Sequence, residues 1–583
     1  MADRSARICE FGDFRLDRER RLLLRRDGAP VPLASKAFET LSYLVEHAGT
    51  VLDKDELMQA VWPDTAVEEN NLTQHISLLR RLLGETRGDH RYIITVPGRG
   101  YQFVAEVRGT AEPVAHREST TAASMVVLPF VNVSADPEYD FFADGLTDDL
   151  IVALSKLPST RVVARTSAFA FKGARGDVRQ IAQKLGVQLV LDGSVRQSGT
   201  RLRVTAELVN AADGCQVWSD RYDREIERHD MFAVQDELTH AVVSALKPNL
   251  PGTERAVLLR HRTQSPAAHE LYLKGRFHLL RMTQSGIESG VQYLERAVEA
   301  DPTYALAFVG LAHAYRMYAL SLEMPPQQVA AKGRAAAERA VQLDETLAEA
   351  HAVLAFHVYW FEWDWSTAEA RFGRALELDP NSVDTHWMYA HLPSNAGRHS
   401  EALAAMARAR SLDPLSGLIH AMEGQMLLHA GRTEDAIARL REAIELEPRS
   451  RVAHLFAASA YIEQGLFDDA VAEAGAARVL TPANTQALAL EACANAKRGR
   501  RRDAAGTLAQ LLQLSKERYV SPYHVAIAFN GLGESSDAIA WLERGFEEQD
   551  PKMVFLNVEP TWRNLRSEPR FRTLLKRMDF SKA

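Results

Sequence analysis

A step of 34 residues runs through the second half of this 583-residue chain and limits what it can fold into more than any other feature. Pro380, Pro414, Pro448 and Pro482 keep that spacing, and so do Gly397, Gly431, Gly465, Gly499 and Gly533. Ala402, Ala436, Ala470, Ala504 and Ala538 follow it as well. Three residue types in one register require a repeated unit of fixed length. Glycine tolerates the left-handed backbone that ends a helix, a small alanine lets a second helix approach closely, and proline suits the first turn of the next unit. Each unit therefore reads as two antiparallel helices that bury their apolar faces against neighbouring units. The register continues back to Ala368, with Trp363 in the place of glycine. Asp344 and Asp301-Pro302 mark two earlier units, separated by an insertion around Met324-Pro325-Pro326.

This pattern resembles the tetratricopeptide (TPR) repeat and covers about residues 265–583, with room for about eight helix pairs. The resemblance implies an all-α superhelix whose concave face takes a protein or peptide partner.

At roughly 100–200 residues per domain, the remaining length calls for further parts. Residues 108–123 are small, polar and without periodicity, and read as a linker; a second break falls at Lys247–Gly252. Between them, residues 124–250 alternate strand and helix signals. Met125–Phe130 is a short apolar strand, Gly145–Leu157 a helix, Arg161–Ala164 a strand, and Asp177–Leu185 a helix stopped by Gly186. Leu189–Arg196, Leu202–Asn210 and Gln216–Tyr222 complete a small α/β domain as a meander. The stretches VVLPFVNVSADPEYDFFADGLTDDLIVAL and LGVQLVLDGSVRQSGTRLRVTAELVNAADGCQVWSDRYDRE resemble the TolB N-terminal-like domain, which implies no known chemistry. Asp140, Asp144, Asp148 and Asp149 lie close together there, but acidic residues near a helix start are explained by capping and a solvated face, so no metal is expected.

The first 107 residues carry the chemistry. Strand signals at Ile8–Leu16 and Arg21–Leu24 lead to a helix capped by Ser35, with Phe38, Leu41, Leu44 and Val45 on one face. Asp53 caps a second helix, Lys54–Val61. A third spans about Glu69–Leu83 and buries Leu72, Ile76, Leu79 and Leu83, leaving Asn70, Asn71, Gln74, Ser77, Leu78 and Arg81 on its other face. Tyr92–Val96 and Tyr101–Val104 then form a hairpin around Pro97-Gly98-Arg99-Gly100. The arrangement is a winged helix-turn-helix, an α+β domain over residues 1–107, so the whole chain reads as multidomain.

LTQHISLLRRLLG followed by RYIITVPGRGYQF resembles the OmpR/PhoB-type winged helix, and more narrowly the CadC/ToxR-like one-component regulators. The resemblance implies that the third helix enters the major groove and that a wing arginine, here Arg99, meets the minor groove. The amides of Asn71 and Gln74 suit adenine, with Asn70 beside them. Thr73 and Ser77 suit phosphates or base edges, and His75 lies near the phosphate side. Arg80 and Arg81 supply charge to the backbone. Gly98 and Gly100 let the turn approach closely, and Tyr101 completes the wing set. Where the family often has Arg after the helix serine, this chain has Leu78, which suits a thymine methyl and not guanine. The domain begins near Met1 and no membrane helix follows it, so neither a preceding phosphoacceptor receiver nor the membrane anchor of that subgroup is expected.

The formal charge of −8, taken over the whole chain, argues against nucleic acid. Within residues 70–105, however, Arg80, Arg81, Arg87, Arg91 and Arg99 face only Glu85 and Asp89, giving +3 on the helix and wing. The three cysteines form neither a disulfide framework nor a metal spacing, which suits a reducing cytoplasm. His351 and His357, or His386 and His391, lack ligand spacing and read as packing or surface residues. Trp360–Trp365 reads as turn filling and core, against an aromatic docking patch. GxxxxGK[ST], HExxH and GxSxG are absent, so neither catalysis nor a cofactor is expected.

The expected function is therefore a cytoplasmic, DNA-binding transcriptional regulator. It would bind double-stranded promoter DNA, as a homodimer, with RNA polymerase as a possible partner. The TolB-like and TPR parts would receive a ligand or protein signal and mediate oligomerisation. Two alternatives stay open: a TPR scaffold with a non-binding winged helix, and a cyclase-associated signalling protein.

Overall fold

The computed structural model describes residues 8–17, 22–25, 30–31, 33, 35–61, 69–85, 90–105, 107–109, 123–134, 138–155, 160–173, 177–198, 201–225, 241, 263, 265–280, 283–321, 324–482 and 484–580. The proposed break at 247–252 and most of the proposed linker lie outside them, as do the side chains of Asn70 and Asn71. The chain forms two compact units, Met1–Ser119 and Thr120–Ala583.

In the first unit, β1 (Ile8–Phe11), β2 (Phe14–Asp17), β3 (Leu22–Arg25) and β4 (Pro30–Val31) form an antiparallel sheet. The expected single strand Ile8–Leu16 is thus a hairpin, bent at Gly12 (φ 53°), where a Cβ would stand 2.4 Å from the Tyr92 hydroxyl. Helices α1 (Ser35–Glu46), α2 (Lys54–Val61) and α3 (Glu69–Leu82) follow, with β5 (Val51–Asp53) between the first two. β6 (Ile93–Val96) and β7 (Gly100–Phe103) pair with β5 in the order β5-β7-β6. Arg108–Gly109, read as the start of the linker, instead pair with β1 as a further strand, β8. Leu41 and Leu44 of α1, Leu57 of α2, and Leu72, Ile76 and Leu79 of α3 are buried with Phe11, Tyr92 and Phe103 in one core.

The second unit begins with β9 (Ala123–Val127), which runs parallel to both β11 (Thr160–Val162) and β12 (Leu189–Ser198). The short β10 (Val131–Asn132) also pairs with β12. β13 (Arg201–Asn210) and β14 (Gln216–Glu225) continue the sheet antiparallel. Helix α4 (Glu138–Ser155) is longer than the expected 145–157, so most of its aspartates sit within the helix and not at its start. Each has a partner: Asp140 accepts from Asn132 Nδ2 at 3.0 Å, Asp144 pairs with Lys172 at 2.6 Å, Asp148 with Arg165 at 2.5 Å, and Asp149 stands 3.6 Å from His269. Asp148 is buried and also lies 3.8 Å from Arg276 of the first repeat, so it ties the sheet to the repeats. That replaces the solvated-face expectation for it.

Among the described residues eight helix pairs follow, from Pro266–Leu279 with Gln284–Ala300 to Pro522–Gly531 with Ser535–Glu547. All five repeat glycines have φ between 75° and 86°, and Trp363 takes the same left-handed geometry at φ 59°. The five register alanines are fully buried, which is why nothing larger than a methyl stands there. The prolines correct one expectation. Helix Trp365–Leu378 ends at Asp379, and the next begins at Val383 capped by Ser382, so Pro380 lies in the connecting turn and not at a helix start. There its lack of an N–H costs nothing, and it stops the preceding helix.

A fourth register escaped the sequence reading. His386, His420 and His454, again 34 apart, each place Nε2 2.9–3.0 Å from the carbonyl of Pro380, Pro414 or Pro448. A carbonyl only accepts, so Nε2 carries the proton and donates. These histidines fasten each turn to the helix that follows it. After the eighth pair, two 3-10 turns (Pro551–Phe555 and Pro560–Leu565) and helix Pro569–Met578 return to earlier repeats. Trp365 Nε1 donates to Met578 O (2.9 Å) and Asn557 Nδ2 to Asn395 O (2.9 Å), and Trp360 packs edge-on against Phe555.

Candidate nucleic-acid interface

Helix α3 buries Leu72, Ile76 and Leu79 and exposes Thr73, Gln74, Ser77 and Arg81. Those four line one shallow concavity together with half-buried Leu78. The helical period makes this separation: positions three and four apart share a face, so the leucine stripe fixes which side chains remain outside. His75 is half-buried at the flank, and burial holds its imidazole below the ordinary value. The backbone of α3 includes Asn70 and Asn71.

Arg80 does not join the exposed set. Its guanidinium donates to the Ile93 carbonyl at 3.0 Å and to Thr95 Oγ1 at 2.9 Å, and its Nε lies 3.7 Å from Glu85. Glu85 in turn accepts from the backbone N–H of Tyr92 (2.5 Å) and Ile93 (3.1 Å). The end of α3 is thereby bolted to the first wing strand. Arg80 was expected on the phosphate backbone; the structure places its guanidinium against the first wing strand. Arg91 donates to Gly84 O at 2.8 Å just beyond the same helix end.

The wing turn places Arg99 and Gly98 (φ 71°) at its exposed tip, where a Cβ on Gly98 would meet nothing. Gly100 has another reason. A Cβ there would stand 2.0 Å from the Leu52 carbonyl, so glycine permits the β5–β7 pairing and not an approach to a ligand. Tyr101 is 5% exposed and packs in the core, apart from the exposed residues of the turn. The sequence cue for both was available in retrospect, since Gly100 to Phe103 reads as a strand with alternating burial.

Exposed hydroxyls, an amide and two arginines on a braced helix and turn can hydrogen-bond base edges and phosphates. The comparisons agree with that chemistry. Residues 28–103 match the family described as "Transcriptional regulatory protein, C terminal", and residues 390–450 and 427–492 match tetratricopeptide repeat families. The transcriptional regulator HilA of Salmonella typhimurium is 25% identical over 398 residues, 67% of this chain and 68% of that protein. The transcriptional activator CadC of Escherichia coli is 36% identical over 85 residues, 14% of this chain and 17% of its own. A putative adenylate cyclase 3 of Rhizobium meliloti is 40% identical over 188 residues; that match spans only 32% of each protein. Among the described residues no helix is long and apolar enough to cross a membrane. Together these matches show an OmpR/PhoB-type winged-helix domain of the kind found in DNA-binding transcriptional regulators, followed by C-terminal tetratricopeptide repeats.

Proposed function

We propose that α3 enters the major groove of promoter DNA, with Thr73, Gln74, Ser77, Leu78 and Arg81 toward bases and phosphates and Arg99 of the wing in the adjacent minor groove. Asn70 and Asn71 belong to this proposal on sequence grounds. The observation that carries it is the Arg80–Glu85 brace, which holds an exposed polar helix face and an exposed arginine turn as one rigid element. The repeats and the TolB-like α/β block receive the signal and set the oligomeric state; two copies on paired half-sites would compensate for the modest positive charge. A regulator, not an enzyme, is the reading that the family matches support, since the cyclase-named relative shares only a third of its length.

A gel shift on the chain's own promoter region tests the groove assignment. Arg99→Ala and Gln74→Ala should each weaken binding roughly tenfold or more, in line with about 1–3 kcal/mol per good base contact. Equal binding by wild type and variants would overturn it. A scaffold with a silent winged helix would show no dependence of binding on salt.

A further inference from the structure

We propose that the repeat superhelix encloses a binding site for a small carboxylic acid with an apolar body, a single ring or a short chain, whose carboxylate pairs with Arg316. The inference rests on the reading of the repeats as the signal-receiving part, and names the class of signal.

The returning C-terminal segment turns the inner face of the repeats into a cavity of about 180 Å³. A cavity of about 150 Å³ holds a benzene ring, so this volume admits one ring or a short chain plus a carboxylate. Its walls are largely apolar and aromatic, and include Phe356, Trp360, Trp387 and Phe555. Arg316 lines the same space and stacks over Phe356 (4.9 Å) and Trp387 (5.4 Å). Its Nε is sealed from solvent without a hydrogen-bond partner, and the guanidinium forms no ion pair among the described residues. Asp384, whose charge it feels, accepts from Trp387 Nε1 at 2.9 Å instead. Burial pushes the guanidinium down to about 10, so it stays charged at neutral pH.

Arg316 is half-buried with its Nε sealed, and structural arginines in such places usually pair with a carboxylate. Here Lys552 and Arg451 line the same cavity, adding positive charge, and the carboxylate present, Glu559, lies 3.5 Å from His429. Gln425 Oε1 and Trp360 Nε1 are also buried without partners. The cavity thus offers a cation and hydrogen-bonding groups within an apolar wall, which matches an amphipathic monoanion and repels a dication. Because its walls come both from repeats two to eight and from the C-terminal segment, a bound acid would hold the returning segment in place, and ligand binding would favour that conformation.

The test uses the full chain without DNA, so its outcome is independent of the groove assignment. Phenylacetate and hexanoate are titrated against the protein beside phenylacetamide and hexanamide, reading tryptophan fluorescence and thermal midpoint. The expected result is saturable quenching and a raised midpoint with at least one acid, and at least about tenfold weaker binding of its amide. Arg316→Met should abolish that preference while leaving the ligand-free protein as stable as wild type or more so. Absence of any response to either acid at millimolar concentration would overturn the proposal, as would equal binding of acid and amide. A less stable, unresponsive Arg316→Met protein would overturn it too, by showing that the stacked guanidinium serves the core. Saturable binding of a peptide ending in phenylalanine, without binding of the free acids, would assign the cavity to a protein partner instead.

Discussion

The Asp413 carboxylate accepts hydrogen bonds from both the backbone N–H (2.9 Å) and the hydroxyl (2.5 Å) of Ser167, across 246 residues of sequence. Ser167 Oγ also receives the Leu415 N–H at 2.8 Å, Ala164 N–H donates to Leu412 O at 3.0 Å, and Arg161 Nη1 donates to Ser411 O at 2.7 Å. The α/β block is thus fixed to the repeats at the end of the fourth pair as well as through Asp148 at the first. Asp413 is 3% exposed, so removing it leaves buried donors without acceptors. Asp413→Ala should therefore destabilise the second unit by about 2–4 kcal/mol. Hydrogen exchange at Arg165–Phe169 should rise more than at the distal repeats. Unchanged protection there would refute the role given to this contact.

Arg80 and Arg81 are adjacent but predict different losses. Arg81 is exposed on the recognition face, so Arg81→Ala should lower the slope of log affinity against log salt by about 1 and leave the thermal midpoint unchanged. Arg80→Ala should lower the stability of the first unit by about 1–2 kcal/mol, because the Ile93 carbonyl loses its side-chain donor and Glu85 its neighbouring cation. The same behaviour from both variants would show that the brace does not exist in solution.

The register alanines set how closely paired helices approach. Ala436→Leu forces three extra carbons into a site with no exposure, and should cost about 1–3 kcal/mol or more. Chemical denaturation of the full chain would report it, and a neutral result would mean that the helices can separate without loss.

Acid should weaken the repeats. Burial pushes His357 down to about 4 and His391 to about 3, and holds His313 and His524 well below the ordinary 6.5. The folded state keeps these rings neutral while the unfolded chain protonates them, so their contribution is complete above pH 6.5 and is lost as pH falls from there toward 3–4. Each histidine contributes up to about 1.4 kcal/mol per pH unit in that window. Buried Asp148, Asp413 and Asp550, raised by desolvation, act in the opposite sense. Denaturation midpoints at pH 7 and 5 should differ less for a His357→Gln, His391→Gln double variant than for wild type. An identical pH dependence in the two proteins would remove the histidines from the explanation.

Local chemistry with a fixed period was readable from the chain alone. The glycine caps, the buried alanines, the left-handed Trp363 and the leucine stripe of α3 each follow from backbone geometry and side-chain size within one unit, so spacing reveals them. The separation of exposed Gln74 and Ser77 from buried Ile76 belongs to the same class. Other roles depended on partners far away in sequence. Arg80 looks like a free surface cation until Ile93 and Glu85 take it up, and Tyr101 looks like a wing residue until the core closes over it. Asp148 looks solvated until the repeats meet the sheet. The seating of Arg316 over Phe356 and Trp387 required successive repeats to stack. Periodicity fixes which face of an element is buried; long-range packing alone decides what each buried polar group meets there, because its partner's position depends on every intervening turn.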